Sequence, residues 1–141
     1  MKLSRTVSYA IRATLQLALA DSAAPVPCSR LASEGKMPER FLLQVLRSLV
    51  TQDILRSTRG VEGGYSLRKP AHELTLLEVI EAVDGPLQSL APSGEEIPTQ
   101  TLHRLESAME HVNQQSRDYL SQISFASLLR ETSPPMSLVE S

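Results

Sequence analysis

Apolar positions recur at helical spacing in several separate stretches of this chain, and the polar and breaker residues between them divide it into units. From Ser4 to Ala20, the residues Val7, Ile11, Leu15, Ala18 and Leu19 share one helical face, with Arg5, Arg12 and Gln16 elsewhere. Asp21-Ser22 and the run Pro25-Val26-Pro27 stop that helix. A short second helix is expected from about Ser29 to Glu34, with Gly35 as its C-terminal stop. Within Glu39 to Leu49, the residues Leu42, Val45, Leu46 and Leu49 form one buried stripe. Arg40, Leu43, Gln44 and Arg47 stand at i, i+3, i+4 and i+7 and therefore face outward together. Pro38 fits a first helical turn, where its missing N–H would be unpaired anyway. Two short helices joined by a few residues including glycine are the signature of a helix-turn-helix.

The period then changes. Leu55-Arg56-Ser57-Thr58 and Tyr65-Ser66-Leu67-Arg68 are two short strand-like runs around Arg59-Gly60-Val61-Glu62-Gly63-Gly64. Three glycines in that turn permit a tight or bulged reversal, so a β-hairpin follows the outward helix. After Lys69-Pro70, a helix over Thr75 to Val83 opens on Thr75-Leu76-Leu77-Glu78, a capping-box pattern, and Asp84-Gly85-Pro86 ends it. From about Thr99 to Ser124, Leu102, Leu105, Met109, Val112, Ser116, Tyr119 and Ile123 alternate spacings of three and four. That narrow seam resembles a coiled coil on a helix of roughly 25 residues and nearly 40 Å. It calls for a partner, and a second copy of the chain is the expected one. Ala126 to Glu131 is expected to close the fold with a short helix. The fold class is thus mainly α with a small hairpin wing. A winged helix-turn-helix domain spans residues 1–84, a loop 85–98, and a dimerisation helix with its closing segment 99–131. A tail over 132–141 is expected to be disordered.

Charge sharpens this division. The net charge of −2 hides two unlike halves. Residues 1–69 carry eleven Lys/Arg against five Asp/Glu, and residues 70–141 carry three against eleven. A basic front half faces a polyanion, and an acidic rear half avoids one. The single cysteine excludes an intramolecular disulfide framework and suits a reducing cytosol. No apolar run reaches the roughly 18–20 residues that cross a membrane, so a cytoplasmic protein without a membrane partner is expected.

The outward helix carries the side chains that base edges in a major groove require. Arginines such as Arg40 and Arg47 match guanine O6 and N7, and Gln44 matches adenine N6 and N7. Phe41 and Leu43 suit a thymine methyl. Arg59 on the hairpin suits a narrow minor groove, where the potential is most negative. Lys2, Arg5, Arg56, Arg68 and Lys69 are expected to neutralise phosphates, which positions a protein without specifying sequence.

Met1-Lys2-Leu3-Ser4 with Tyr9-Ala10, the run Leu42-X-Gln44-X-Leu46-X-X-Leu49, Arg59-Gly60-X-X-Gly63-Gly64-Tyr65 and Leu77-Glu78-Val79-Ile80-Glu81-Ala82-Val83 together resemble the Rrf family. Those are bacterial winged-helix transcription regulators, among them the iron–sulphur-cluster regulator, the nitric-oxide-sensing repressor and the cysteine-metabolism repressor. The resemblance covers about residues 1–131. It implies a homodimer joined through the long helix that reads a pseudo-palindromic operator, most simply as a repressor. Arg40, Phe41, Gln44 and Arg59 match DNA-contacting positions of the family, and Gly63 and Gly64 belong to its wing motif. Two departures stand out. Many members hold a cluster on three cysteines in the loop before the long helix, and Gly85 to Thr99 contains none. Clusters take about four ligands, mostly thiolates, so none is expected here. Leu43 stands where the cluster regulator has a base-reading glutamate, and Glu62 replaces a small wing residue, so a different operator is expected.

Cys28 is the remaining redox candidate, since a helix N-terminus and Arg30 would lower its pKa. The other reading makes it a small, partly buried side chain. His103 and His111 lie eight residues apart, about 12 Å along a helix, and cannot share an ion. His103, Glu106 and Glu110 read as a solvated face. No phosphate loop or activated nucleophile can be assembled, so no enzyme activity is expected. The effector is open between a small molecule, a partner protein and Cys28 oxidation. The rival function is a winged-helix interaction module that docks a partner enzyme, favoured by an exposed Phe41 and Leu43.

Overall fold

A computed structural model describes residues 2–20, 24–87 and 96–130. Three helices come first: α1 (Arg5–Ala20), α2 (Cys28–Gly35) and α3 (Glu39–Thr51). The hairpin is β1 (Leu55–Thr58) paired antiparallel with β2 (Gly64–Leu67), and α4 (Leu76–Asp84), α5 (Thr99–Leu120) and α6 (Phe125–Leu128) complete the chain. The mainly helical fold with one two-stranded wing is the architecture expected from the pattern.

The core is aliphatic and shared by all the elements of the front half. Val7, Leu31, Leu42, Leu46, Leu49, Leu55, Leu74 and Val79 are fully buried, as is one aromatic, Phe125. Each such side chain contributes about 1.5–3 kcal/mol through removal from water. The four buried residues of α3 are Leu42, Val45, Leu46 and Leu49. Their burial fixes the rotation of that helix about its axis, and so determines which of its side chains face solvent.

Local signals set most boundaries. The Thr75 side chain accepts from the Glu78 N–H while the Glu78 carboxylate accepts from the Thr75 N–H, a complete capping box on α4. Ser4 Oγ accepts from the Val7 N–H at the start of α1. Pro38 lies one residue before the first turn of α3, in extended conformation.

Four details differ from the sequence expectation. The second helix begins earlier, at Cys28, and Gly35 is its last residue rather than its stop. The left-handed cap is Lys36, with φ 53°. A Cβ on Gly35 would stand 2.6 Å from Met37 Cε and 3.0 Å from the Gln16 side chain, contacts that the flexible ends of those side chains would have to yield. The Pro25-Val26-Pro27 stretch, expected only as a breaker, also pairs: Val26 exchanges both backbone hydrogen bonds with Tyr65 at 2.9 and 2.8 Å. The two flanking prolines limit this bridge to one residue.

The third and fourth differences concern the C-terminal helices. The long helix stops at Leu120, giving 22 residues and a length of about 33 Å. Ile123, expected on its seam, is therefore not helical. Its carbonyl accepts from the Leu76 N–H at 2.9 Å, in an extended segment whose Ser124 bridges Thr75. The closing helix is Phe125–Leu128 rather than Ala126–Glu131, capped by Ser124. Phe125 and Ala126 donate their N–H groups to Leu74 and Ala71, which sews the segment after α5 back onto the front-half core. The expected disordered tail and most of the loop before α5 lie outside the described residues.

Candidate nucleic-acid interface

The α3 side chains left in solvent are those the pattern assigns outward. Arg40, Gln44 and Arg47 are exposed and Leu43 is half-buried. Phe41 differs from expectation. Its ring meets Tyr9 of α1 edge-on, with centroids 5.4 Å apart at 84°, and it packs against the core. Arg12 lies over the other side of Tyr9, 5.6 Å from the ring centre, and its guanidinium also hydrogen-bonds the Gly35 carbonyl at the end of α2. Phe41, Tyr9 and Arg12 thus brace the helix-turn-helix, with Phe41 left half-buried as Leu43 is.

The hairpin stands beside α3. Gly63 and Gly64 satisfy internal requirements: a Cβ would approach the Thr58 carbonyl oxygen to 2.1 Å at Gly63 and the Val26 backbone to 2.4 Å at Gly64. Their place in the wing motif therefore follows from backbone crowding. Gly60, with φ 114°, opens a turn closed by the Gly63 N–H donating to the Gly60 carbonyl at 3.0 Å. Val61 and Glu62 occupy its corners, and Arg59 precedes it.

Between α3 and the hairpin runs a cleft of about 670 Å³. Its walls include Arg47 and Thr51 from α3, Ser57, Thr58 and Arg59 from the hairpin, with Cys28 and Tyr65 at its base. Among the described residues no carboxylate lines it. The Tyr65 phenol is raised above its ordinary value, first by burial and then by Cys28, with Arg47 partly opposing the shift. The Cys28 thiol is likewise raised, by burial and then by Glu39. This reverses the lowering expected from the sequence. Cys28 opens α2, but its Sγ points to the Glu39 carbonyl at 3.7 Å, and Arg30 pairs instead with Glu34 at 3.3 Å.

Not every cation of the basic half is available. Lys69 is held by Glu78, and Arg68 lies 3.9 Å from Asp53. Lys2, Arg40, Arg47, Arg56 and Arg59 are exposed and have no ion-pair partner among the described residues. Lys2 precedes α1, Arg40 lies in the first turn of α3, and Arg47 and Arg59 line the α3–hairpin cleft. Arg56 alternates to the other face of β1.

On α5 no residue is buried within the chain. Its C-terminal half is tied to the body by Arg117 to Glu81 and by Asn113 Nδ2 to the Leu87 carbonyl at 2.8 Å. Met109, Val112 and Tyr119 are 37%, 57% and 66% exposed, while Leu102 and Leu105 are half-buried.

This geometry has relatives. A protein of Mycobacterium tuberculosis named as an HTH-type transcriptional regulator is 40% identical over 94 residues, covering 67% of this chain. The regulator IscR of Photorhabdus laumondii is 33% identical over 96 residues, covering 68% of this chain. The match takes in 58% of the length of each of these relatives. Among solved structures, a transcriptional regulator from Listeria innocua superposes with a TM-score of 0.77 at 26% identity, covering 94% of this chain and 89% of that one. CymR, the global cysteine regulator of B. subtilis, gives 0.75 at 20% identity over 94% and 99%, which shows a shared fold. The family profile Rrf2, described as an iron-dependent transcriptional regulator, matches residues 3–131. With that profile running from ahead of α1 to beyond α6, the chain belongs to the Rrf2 family of transcriptional regulators.

Proposed function

We propose that the chain binds duplex DNA in a sequence-specific way, as a homodimer, and represses transcription from a pseudo-palindromic operator. The observation that carries this reading is the cleft between α3 and the hairpin, lined by exposed Arg47 and Arg59 with no carboxylate among its described lining residues, on a helix whose Arg40 and Gln44 are also exposed. A helix in the major groove and a hairpin in the adjacent minor groove must straddle one sugar–phosphate ridge. The cleft offers that ridge two guanidinium groups and the hydroxyls of Thr51, Ser57 and Thr58. Arg40 and Gln44 then lie on the face that meets base edges. Leu43 supplies apolar contact there, and Lys2 adds a phosphate contact. The second copy is expected to cover the exposed apolar stripe of α5 through Leu102, Leu105, Met109, Val112 and Tyr119. In this arrangement residues 1–84 are the DNA-reading unit and α5 joins two of them.

The rival reading, a docking module, drew on an exposed Phe41 and Leu43; both are half-buried, and the Phe41 ring packs on Tyr9, so its support is reduced.

The family description includes iron dependence, and the donor set of this chain does not fit a cluster. Cys28 is the single thiol among 141 residues, and it opens α2 beside the Glu39 carbonyl. Among the described residues no three His, Cys, Asp or Glu side chains are grouped to hold a metal ion. A cluster takes about four ligands, mostly thiolates. The regulator is therefore read as cluster-free, with its signal arriving through a small molecule or a protein partner.

The test is fluorescence anisotropy on DNA from upstream of the chain's own gene, beside a scrambled duplex. Binding at least ~10³-fold tighter than to the scrambled duplex is expected. Equal affinity for both, abolished by moderate salt, would reduce the interaction to phosphate attraction.

A further inference from the structure

We propose that the pocket behind the hairpin binds a small organic anion, with one carboxylate-like head on an apolar body. The two faces of the hairpin have different neighbours. Ser57 and Tyr65, opposite each other in the ladder, line the cleft beside α3. Arg56 and Ser66, the next pair, belong to the other face because side chains alternate along a strand. There they line a second cavity of about 600 Å³, between the hairpin, the end of α1 and the segment around α6. Arg68 lines it too, and its N–H continues the ladder to the Ile54 carbonyl at 3.0 Å.

The lining divides by chemistry. Leu17, Ala18, Leu67, Ala126 and Leu129 supply apolar walls, while Arg56, Arg68, Lys69 and His72 supply cationic or titratable groups. Among the described residues no carboxylate lines this cavity. Lys69 is committed to Glu78, and Arg68 more loosely to Asp53 at 3.9 Å. Arg56 is exposed and has no ion-pair partner among the described residues. A guanidinium is a planar fork that meets a carboxylate or phosphate with two parallel hydrogen bonds. Three cations around one cavity repel each other, and a bound anion relieves that repulsion. The volume suits a whole small molecule, since ligand sites run to about 300–1,000 Å³ with apolar walls and a few placed polar groups. The charged head belongs at Arg56 and the body against the leucines. This site goes beyond the DNA-binding reading, which uses the opposite face of the hairpin.

The test is isothermal titration of the full chain with octanoate, kept below its micelle-forming concentration. Butyrate, with the same head and a shorter tail, and octanol, with the tail and no charge, are titrated beside it. Saturable binding is expected, at least about tenfold tighter for octanoate than for either control. Arg56→Gln is expected to weaken octanoate about tenfold with an unchanged melting curve, because the side chain is exposed. Arg104→Gln removes the same charge from an exposed position on α5 and is expected to leave octanoate binding unchanged. Absence of saturable octanoate binding overturns the inference, as does octanol binding equally well. An equal loss in both variants, or none in Arg56→Gln, overturns it as well. If octanoate binding is unchanged in Arg56→Gln while its slope of log DNA affinity against log salt falls by about 1, Arg56 serves a DNA phosphate instead. None of these titrations contains DNA, so a failed operator experiment leaves their result standing.

Discussion

At the scale of single residues, two titrating groups report how environment overrides type. Cys28 opens a helix, a position that ordinarily favours thiolate, yet burial and the nearby Glu39 raise its pKa. The thiolate fraction at neutral pH is thus smaller than that of an ordinary cysteine. Iodoacetamide is expected to label it more slowly at pH 7.5 than a free thiol, with the rate still climbing above pH 9, measured by mass spectrometry over time. Glu78 goes the other way. Burial raises its carboxyl, but hydrogen bonds from Lys69 and Thr75, with the Lys69 charge, outweigh that and hold it below the ordinary 4.5. A depressed carboxyl adds stability that is present above its unfolded pKa and lost as pH falls through the folded one. The melting temperature of wild type is therefore expected to drop below about pH 4.5, with part of that drop missing in Glu78→Gln. The Thr75–Glu78 box was legible in the sequence because its partners are three residues apart. The Lys69 partner of Glu78 and the Glu39 neighbour of Cys28 were not, because packing rather than spacing brings them together.

At the scale of elements, the reading helix was the most legible part and the hairpin edge the least. The period of Leu42, Val45, Leu46 and Leu49 fixed which face of α3 is buried, and hence that Arg40, Gln44 and Arg47 remain outside. Phe41 escaped the reading because its placement depends on Tyr9, thirty-two positions earlier. The Val26–Tyr65 bridge escaped it because an isolated residue between prolines carries no strand period. That bridge has a measurable consequence. A Cβ at Gly64 would lie 2.4 Å from the Val26 carbonyl carbon and oxygen, so the wing must shift to admit one. Gly64→Ala is expected to destabilise the fold by about 1–3 kcal/mol, the usual range for overpacking, seen as a lower midpoint in urea. On the other wall of the cleft, Arg47→Ala leaves the helix intact because the side chain is exposed. As a phosphate contact it is expected to weaken binding to specific and scrambled duplexes alike, and to reduce the slope of log affinity against log salt by about 1.

At the scale of the whole molecule, the front half and the α6 segment share one core that α5 does not enter. Its 22 residues bury none of their number within the chain, although Met109, Val112 and Tyr119 are apolar or aromatic and stand 37–66% exposed. An isolated helix of this length gains little from propensity alone and is normally stabilised by packing. In the proposed dimer a second α5 supplies that packing, since the seam spacing of three and four brings like residues of two helices together. The proposed two-fold dimer carries two α3 helices, and a dimeric helix-turn-helix reads half-sites about 34 Å apart. Eleven of the sixteen Asp and Glu residues fall within residues 70–141 of the sequence, behind the DNA-reading elements. Val112→Glu places a charge in the middle of the seam, where its burial across a two-fold axis would oppose a like charge. The variant is expected to sediment as a monomer where wild type sediments as a dimer. Its front-half fold should persist, because no contact of Val112 supports the core. Operator affinity is then expected to fall by at least about a hundredfold, since joining two readers raises avidity by roughly 10²–10⁴. A Val112→Glu chain that remains a dimer in the ultracentrifuge would place the interface elsewhere.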